Sequence, residues 1–480
     1  MIPFPPFAPD TSPFNPLATG DLKNCIPVED GWRPLPSLTT ITDALPAACV
    51  GATYVRNSSG SFTLIAGTTA GLYSLDTGTM SWTDISGASA PYSVPAGDRW
   101  TFTRYGQYLI AHNINDAIQV YDIEAGGVFA DLAGSPPKAR YSCVAGEFLV
   151  LMHLEGENNV VHWSGIGDIE HWTIAEKGCD KQALPSGEEI MGGIGDERGA
   201  LIIQRNAMRY MQFAPESGYT FTFAPANEKR GTIAPLSIVQ IGAGDFCYLS
   251  EDGFFRGVAG SPIGAGRVDR WFFATLSRSS LSAVKGIADP YEKIVWWTFE
   301  DAAEDRYLIG YDWQLDRWCY ADNTTEEMVA VVTPGSGWYA LDATYATIDA
   351  GEVTFDSRSS QGGAPTFAGF TTSHELAYFS GTPQAVDAYT AQVQINPAGR
   401  YNVRGARIIT DALAGELAVG KVDYHGNDMT WGTATSMSSR TGFIGVRADG
   451  RLHRFHWSVP AGTAWTVLTG LEVEGSASGK

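Results

Sequence analysis

Charge is scarce in this chain of 480 residues and one-sided: charged residues make up 18%, with 32 Lys and Arg against 53 Asp and Glu, a formal −21. A surface with that excess repels polyphosphate and gains nothing from counterion release, which argues against sequence-driven DNA or RNA binding. Long apolar runs are also missing. The longest are short ones such as Phe148 to Met152, far below the roughly 18 residues that a spanning helix needs, so a soluble chain without a membrane-spanning segment is expected. The start, MIPFPPFAPDTSPFNP, has neither a basic n-region nor an apolar h-region, and its prolines oppose a regular helix. No export signal is expected there. The six cysteines (Cys25, Cys49, Cys143, Cys179, Cys247 and Cys319) lie far apart, without a CxxC pair or dense disulfide spacing. Free buried thiols in a reducing cytosol are the expectation.

Motifs that carry chemistry are absent too. HExxH, an EF-hand loop, a Walker A loop and a GxSxG elbow are all missing. Gly192, Gly193, Gly195 and Gly199 miss GxGxxG by one position, with Arg198 where the last glycine belongs, and are read as a turn between strands. His453 and His456 stand three apart on an expected strand, where they point to opposite faces and do not share a metal ion. His162 and His171 flank Trp163 and Trp172, where packing explains them better than catalysis. The set Ser74, Asp76, Gly78 and Trp82 nearly matches the S-x-D-x-G-x-x-W box of sialidase propellers, with the Trp one residue late, and even a full box is a structural turn. Acidic pairs such as Glu188 with Glu189 read as solvated loops. The expectation is a protein that is not an enzyme, with no catalytic, cofactor-binding or metal residues.

What the chain does have is turn residues and rings. Gly (54) and Pro (25) are plentiful and aromatics reach 12%, a profile that favours an all-β fold. A hairpin recurs, made of a turn residue, an apolar strand, a polar turn and a second strand. Copies begin at Gly60, Gly106, Gly146 and Gly199, with weaker ones at Gly244, Glu292 and Gly337, so that successive starts lie 40 to 53 residues apart. A closing aromatic follows with the same period: Trp82, Phe129, Trp172 and Trp318, with Phe223 and Trp271 filling the gap less well.

A unit of about 45 residues holding four short strands is the size of a β-propeller blade. One such sheet does not bury both faces alone, whereas blades stacked around an axis bury each against the next. The spacing predicts a propeller of six or seven four-stranded blades over residues 51–363, with Trp82, Phe129, Trp172 and Trp318 as its inter-blade core. An irregular arm is expected over 1–50. After about Gly363 the period is lost and the strands lengthen, which predicts a C-terminal β-sandwich-like domain over 364–480, with turns at Asp449-Gly450 and Pro397-Ala398-Gly399. The arm is long and apolar for an idle tail, so Asn24, Trp32, Arg33 and Pro34 are candidate contacts to another subunit or an adaptor.

Several strings of this chain resemble the tail nozzle proteins of short-tailed, podovirus-like bacteriophages, a group that includes tail tubular protein B and the packaged-DNA stabilisation proteins. They are NCIPVEDGWRPLPSL in the arm, WSGIGDIEHWTI from Trp163, EKRGTIAP from Glu228, FCYLSEDGFF from Phe246, IGAGRVDRWFF from Ile263 and DGRLHRFHWSVPAG from Asp449. The resemblance spans nearly the whole chain and implies a structural virion protein. Its members form homo-hexameric rings of β-propeller subunits below the portal and adaptor, at the tail tip, assembled in the cytoplasm of the host bacterium. Such a ring retains packaged DNA and gives it a channel for ejection without specific binding. Its implied partners are further copies of itself, the tail adaptor protein and tail fibres. Two other classes fit a propeller: a monomer that binds a glycan or peptide in an axial pocket, and a propeller glycoside hydrolase or lyase.

Overall fold

A computed structural model describes residues 1–332 and 365–479. The six hairpins that fall on described residues all form, five as the two central strands of a four-stranded antiparallel sheet, such as Phe62–Gly67 with Leu72–Asp76 and Phe148–Leu154 with Glu157–Trp163, and the sixth, Ile294–Glu300 with Arg306–Asp312, within a longer sheet. The copy beginning at Gly337 lies outside the described residues. Each hairpin is preceded by an inner strand and followed by an outer one, as the alternation of apolar runs and Gly or Asp turns allows.

Six separate four-stranded sheets result. Five are built from contiguous chain: blade 1 spans 52–84, blade 2 101–131, blade 3 139–183, blade 4 190–227 and blade 5 239–262. Blade 6, spanning 285–322, has the same four-strand order but continues into a ten-stranded sheet. The sixth separate sheet, blade 7, closes the circle. It joins Thr325–Val332, Pro365–Thr371 and Glu375–Pro383 to an outer strand from the arm, Pro36–Ala44, with Thr39 opposite Tyr378. The β-propeller is therefore real, and both expected blade numbers have a basis: six self-contained sheets and one that is shared.

The strands cross both expected boundaries. Pro36–Ala44, inside the expected arm, is a propeller strand, and so is Glu375–Pro383, inside the expected C-terminal domain. The rest of the arm is sewn into the sandwich. Cys25–Val28 and Gly31–Pro34 lie in one sheet with Leu468–Gly479 and Arg400–Thr410, and Ile2–Pro3 pairs with Leu468–Gly479. Leu22–Lys23 bridges blade 6 and the other sheet, since Lys23 is parallel to Tyr320 on one side and antiparallel to Asp387 on the other. That second sheet continues through Val386–Tyr389, Leu452–Val459 and Glu416–Val422. Blade 6 and the sandwich consequently share one apolar cluster, including Trp297, Trp318, Trp32, Phe455 and Trp457.

Two turn expectations resolve differently. At Pro397-Ala398-Gly399 the turn forms, with the Gly399 N–H donating to Asn396 O at 3.2 Å. Asp449-Gly450 is no two-residue hairpin: Ala448–Gly450 pairs with Tyr401, Asn402 and Val403 in one sheet and Leu452–Val459 belongs to the other. The chain changes sheets there, which a local turn signal does not reveal.

Candidate functional site

The inner strands of the seven blades surround an axial cavity of about 650 Å³. Ala52–Arg56, Thr101–Tyr105, Ala139–Ala145, Ile190–Asp196, Val239–Gly242, Lys285–Asp289 and Thr325–Val332 all contribute to its wall. The glycines at 192, 193 and 195 lie in one of these strands and not in a turn. Their reason is close approach: a Cβ on Gly195 would sit 1.9 Å from Val144 O on the neighbouring inner strand, and one on Gly193 would sit 2.7 Å from Met152 Sδ.

Near the start of these strands the wall carries charge. Glu327, on the inner strand of blade 7, has a side chain only 3% exposed and pairs with both Arg99, just before the inner strand of blade 2, and Lys285, which opens that of blade 6. Neighbouring carboxylates are occupied elsewhere. Asp98 accepts from Arg140 Nε at 3.0 Å, and Glu326 accepts from the Cys49 N–H and from His374 Nδ1, both at 2.8 Å. Burial lowers Arg99 to about 10, still cationic at neutral pH, and burial followed by the Arg99 charge pushes Lys285 well down.

A second polar group lies between blades 2 and 3. His112 is fully buried; its Nδ1 is 2.9 Å from Ala139 O and its Nε2 2.7 Å from Ser142 Oγ, which in turn is 2.7 Å from Thr103 Oγ1. Because a carbonyl only accepts, Nδ1 carries the proton and Nε2 accepts from Ser142. Desolvation holds His112 down at about 4. A histidine with so low a pKa is a weak base, and this Ser–His pair is a tie between blades.

The aromatic anchors fall into layers as the repeat predicts, with one difference. Phe129 is in the cluster shared by blades 1 and 2, Trp172 in that of blades 2 and 3, and Trp318 donates its Nε1–H to Ile263 O, just past blade 5, at 3.1 Å. Trp82 reaches from blade 1 to blade 7, with Nε1 3.0 Å from Asp43 O and its ring 5.7 Å from that of Phe370, but it is only half-buried. Asp76 accepts from the Gly78 N–H at 2.8 Å, the plain turn expected.

The arm candidates are placed inside this chain. Trp32 is 1% exposed and donates to Phe4 O at 3.0 Å, and Pro34 is buried as well. Asn24 is buried, donates to Ala385 O and accepts from the Asp322 N–H, so one side chain bridges blade 6 and the sandwich. Arg33 pairs with Glu292 at 2.6 Å. Trp32, a candidate contact to another subunit or an adaptor, is thus a core residue, because the arm completes two sheets of its own chain. Asp10 adds a further tie, its carboxylate accepting the N–H groups of Arg270 and Trp271 at 2.7 Å in the first turn of the short helix Asp269–Thr275. Sequence reasoning missed Arg99, Lys285 and Glu327 altogether. Their meeting joins residues 228 and 42 positions apart and leaves no local signal.

The histidines behave as packing groups. His453 is buried and His456 faces the other side, paired with Asp387 at 2.8 Å and stacked on Tyr389 at 4.0 Å. His162 sits edge-on to Trp172 at 5.3 Å. All six cysteines are buried and unpaired, and burial raises the Cys49, Cys143 and Cys247 thiols to about 12.

No protein-family model matches this chain, and no curated protein does. Among solved structures it is similar to the WD40 repeats of RRP9, at 10% identity and a TM-score of 0.35, over 60% of this chain and 86% of that one. It is also similar to the computationally designed Ika8 protein, at 10% identity and 0.33, over 60% and 94%. Neither likeness is close enough to bear on function, and the propeller rests on its own strand pairing.

Proposed function

We propose that this protein is a structural subunit of a phage tail nozzle: a ring below portal and adaptor that retains packaged DNA and channels its ejection. The resemblance of the strings from Asn24 to Gly462 motivates the reading, and the continuous sheet carries it. A propeller joined through Leu22–Lys23 to a sandwich, with one shared apolar core, suits a subunit that bears load in an assembly.

The reading requires a ring. An axial cavity of about 650 Å³, with Arg99 and Glu327 in its wall, is the size of a small-molecule site and does not hold a duplex. The conduit therefore lies between subunits. With −21 per chain its walls oppose the phosphate neutralisation that gives non-specific affinity, so DNA slides and retention is steric.

Electron microscopy of the purified full-length chain tests this. A closed ring with a central opening wide enough for a duplex, and no salt-sensitive DNA binding at physiological ionic strength, is expected. A stable monomer that binds a glycan or turns over a glycoside would replace the reading with the lectin-like or enzymatic one.

A further inference from the structure

The trio at the axial cavity has unequal numbers of partners. One carboxylate, Glu327, serves two cationic side chains, and the nearest other carboxylates are committed, Asp98 to Arg140 and to the Arg99 backbone N–H, Glu326 to Cys49 and His374. The Arg99 guanidinium has five N–H donors, of which only the Nη2 contact to Glu327 is made among the described residues; its Nε is closed off, which leaves the Nη1–Nη2 edge as the one a ligand can reach. A charged donor left without an acceptor in a largely buried place costs about 1 to 3 kcal/mol or more, so an acceptor at this edge would stabilise the fold.

Position supplies the room for one. Arg99 and Glu327 both line the axial cavity, while Lys285 approaches Glu327 from a smaller side cavity of about 180 Å³. At about 650 Å³ the axial cavity is in the range of small-molecule sites, and Thr53 and Gln240 add a hydroxyl and an amide to its wall. A planar guanidinium with a free edge matches two oxygens of a carboxylate or phosphate.

We propose that the axial cavity binds a small oxyanion, a molecule bearing a carboxylate or phosphate group, through the free edge of Arg99. Lys285 shares the Glu327 carboxylate with Arg99 and is a positioning residue. The site is independent of the nozzle reading, since it belongs to a single propeller.

The test is titration of the full-length protein with inorganic phosphate and, separately, citrate, against sodium chloride at matched ionic strength, followed by calorimetry and melting temperature. Saturable binding by one or both is expected, and the tighter probe identifies the oxyanion class. Arg99→Gln should weaken binding at least tenfold, whereas Glu327→Gln, which removes the internal competitor, should tighten it several-fold. A purely structural role would move both variants' stability in the same direction and leave affinity alone. Should either variant fail to fold, Thr53→Asp places a competing charge at a partly exposed wall position and should abolish the saturable response. No saturable response from the unmodified protein to either probe, or equal affinity in every folded variant, overturns the proposal.

Discussion

Blades 1 to 5 and the sewn part of the molecule satisfy their sheets in opposite ways. Each of the first five is contiguous chain, and its neighbours are met through one buried layer, as where Phe129 or Trp172 fills the space between successive blades. Blade 7, blade 6 and the sandwich instead take strands from both ends of the chain, with Thr39 opposite Tyr378 and Lys23 between Tyr320 and Asp387. Closing so long a loop costs only slightly more entropy than closing a short one, because the cost grows with the logarithm of length. The consequence is a difference in modularity: damage to a contiguous blade is confined to one layer, whereas damage to a sewn strand opens two sheets.

The largest effect should follow from removing the thread. Deleting residues 1–44 takes away the outer strand of blade 7 and the arm strands of the sandwich and is expected to abolish cooperative thermal unfolding. A soluble, cooperatively melting product with the parent melting temperature would break the contrast. Next come single buried rings. Trp172→Ala in the contiguous part and Trp32→Ala in the sewn part should each cost about 3 to 5 kcal/mol in denaturant titrations. Hydrogen exchange separates them: exchange should rise in blades 2 and 3 for the first, and across blade 7, blade 6 and the sandwich for the second. Confinement of both to one layer would erase the distinction.

In the contiguous part, acid should act through His112 among other groups. Its pKa is lowered in the folded chain from 6.5 to about 4, so its contribution is complete above pH 6.5 and is lost as pH falls towards 4. For a fully buried group that amounts to about 3 kcal/mol. Comparing stability at pH 7 and pH 4 with and without His112→Gln should show a smaller acid loss in the variant; equal losses would remove His112 from the account. The smallest effect belongs to Trp82→Ala, at about 1 to 2 kcal/mol, because a half-buried ring forfeits less transfer free energy. A loss as large as that of Trp172→Ala would mean that the blade 1 to blade 7 seam is tighter than its exposure implies.

The repeat was legible because each hairpin is local: turn, strand, turn and strand lie within about 20 residues, and an apolar run between Gly and Asp records its own burial. The same logic made Phe129, Trp172 and Trp318 visible as layer fillers. It misjudged Trp32, since an aromatic in an irregular segment reads alike whether it covers a distant core or stands exposed, and it misplaced Gly193 and Gly195, whose need to be small is set by Met152 and Val144 of another blade. The axial charges were invisible for the same reason.

By itself, then, the sequence determined the all-β class, the blade period, the central hairpins and most of the inter-blade rings, all of which depend on neighbours within one repeat. Only the tertiary structure decided that the arm completes blade 7 and the sandwich, that Asn24 and Trp32 are spent inside the chain, and that Arg99, Lys285 and Glu327 converge on one cavity. Those outcomes depend on pairings between residues hundreds of positions apart, where edge hydrogen bonds and buried charge are satisfied by whatever the fold brings near.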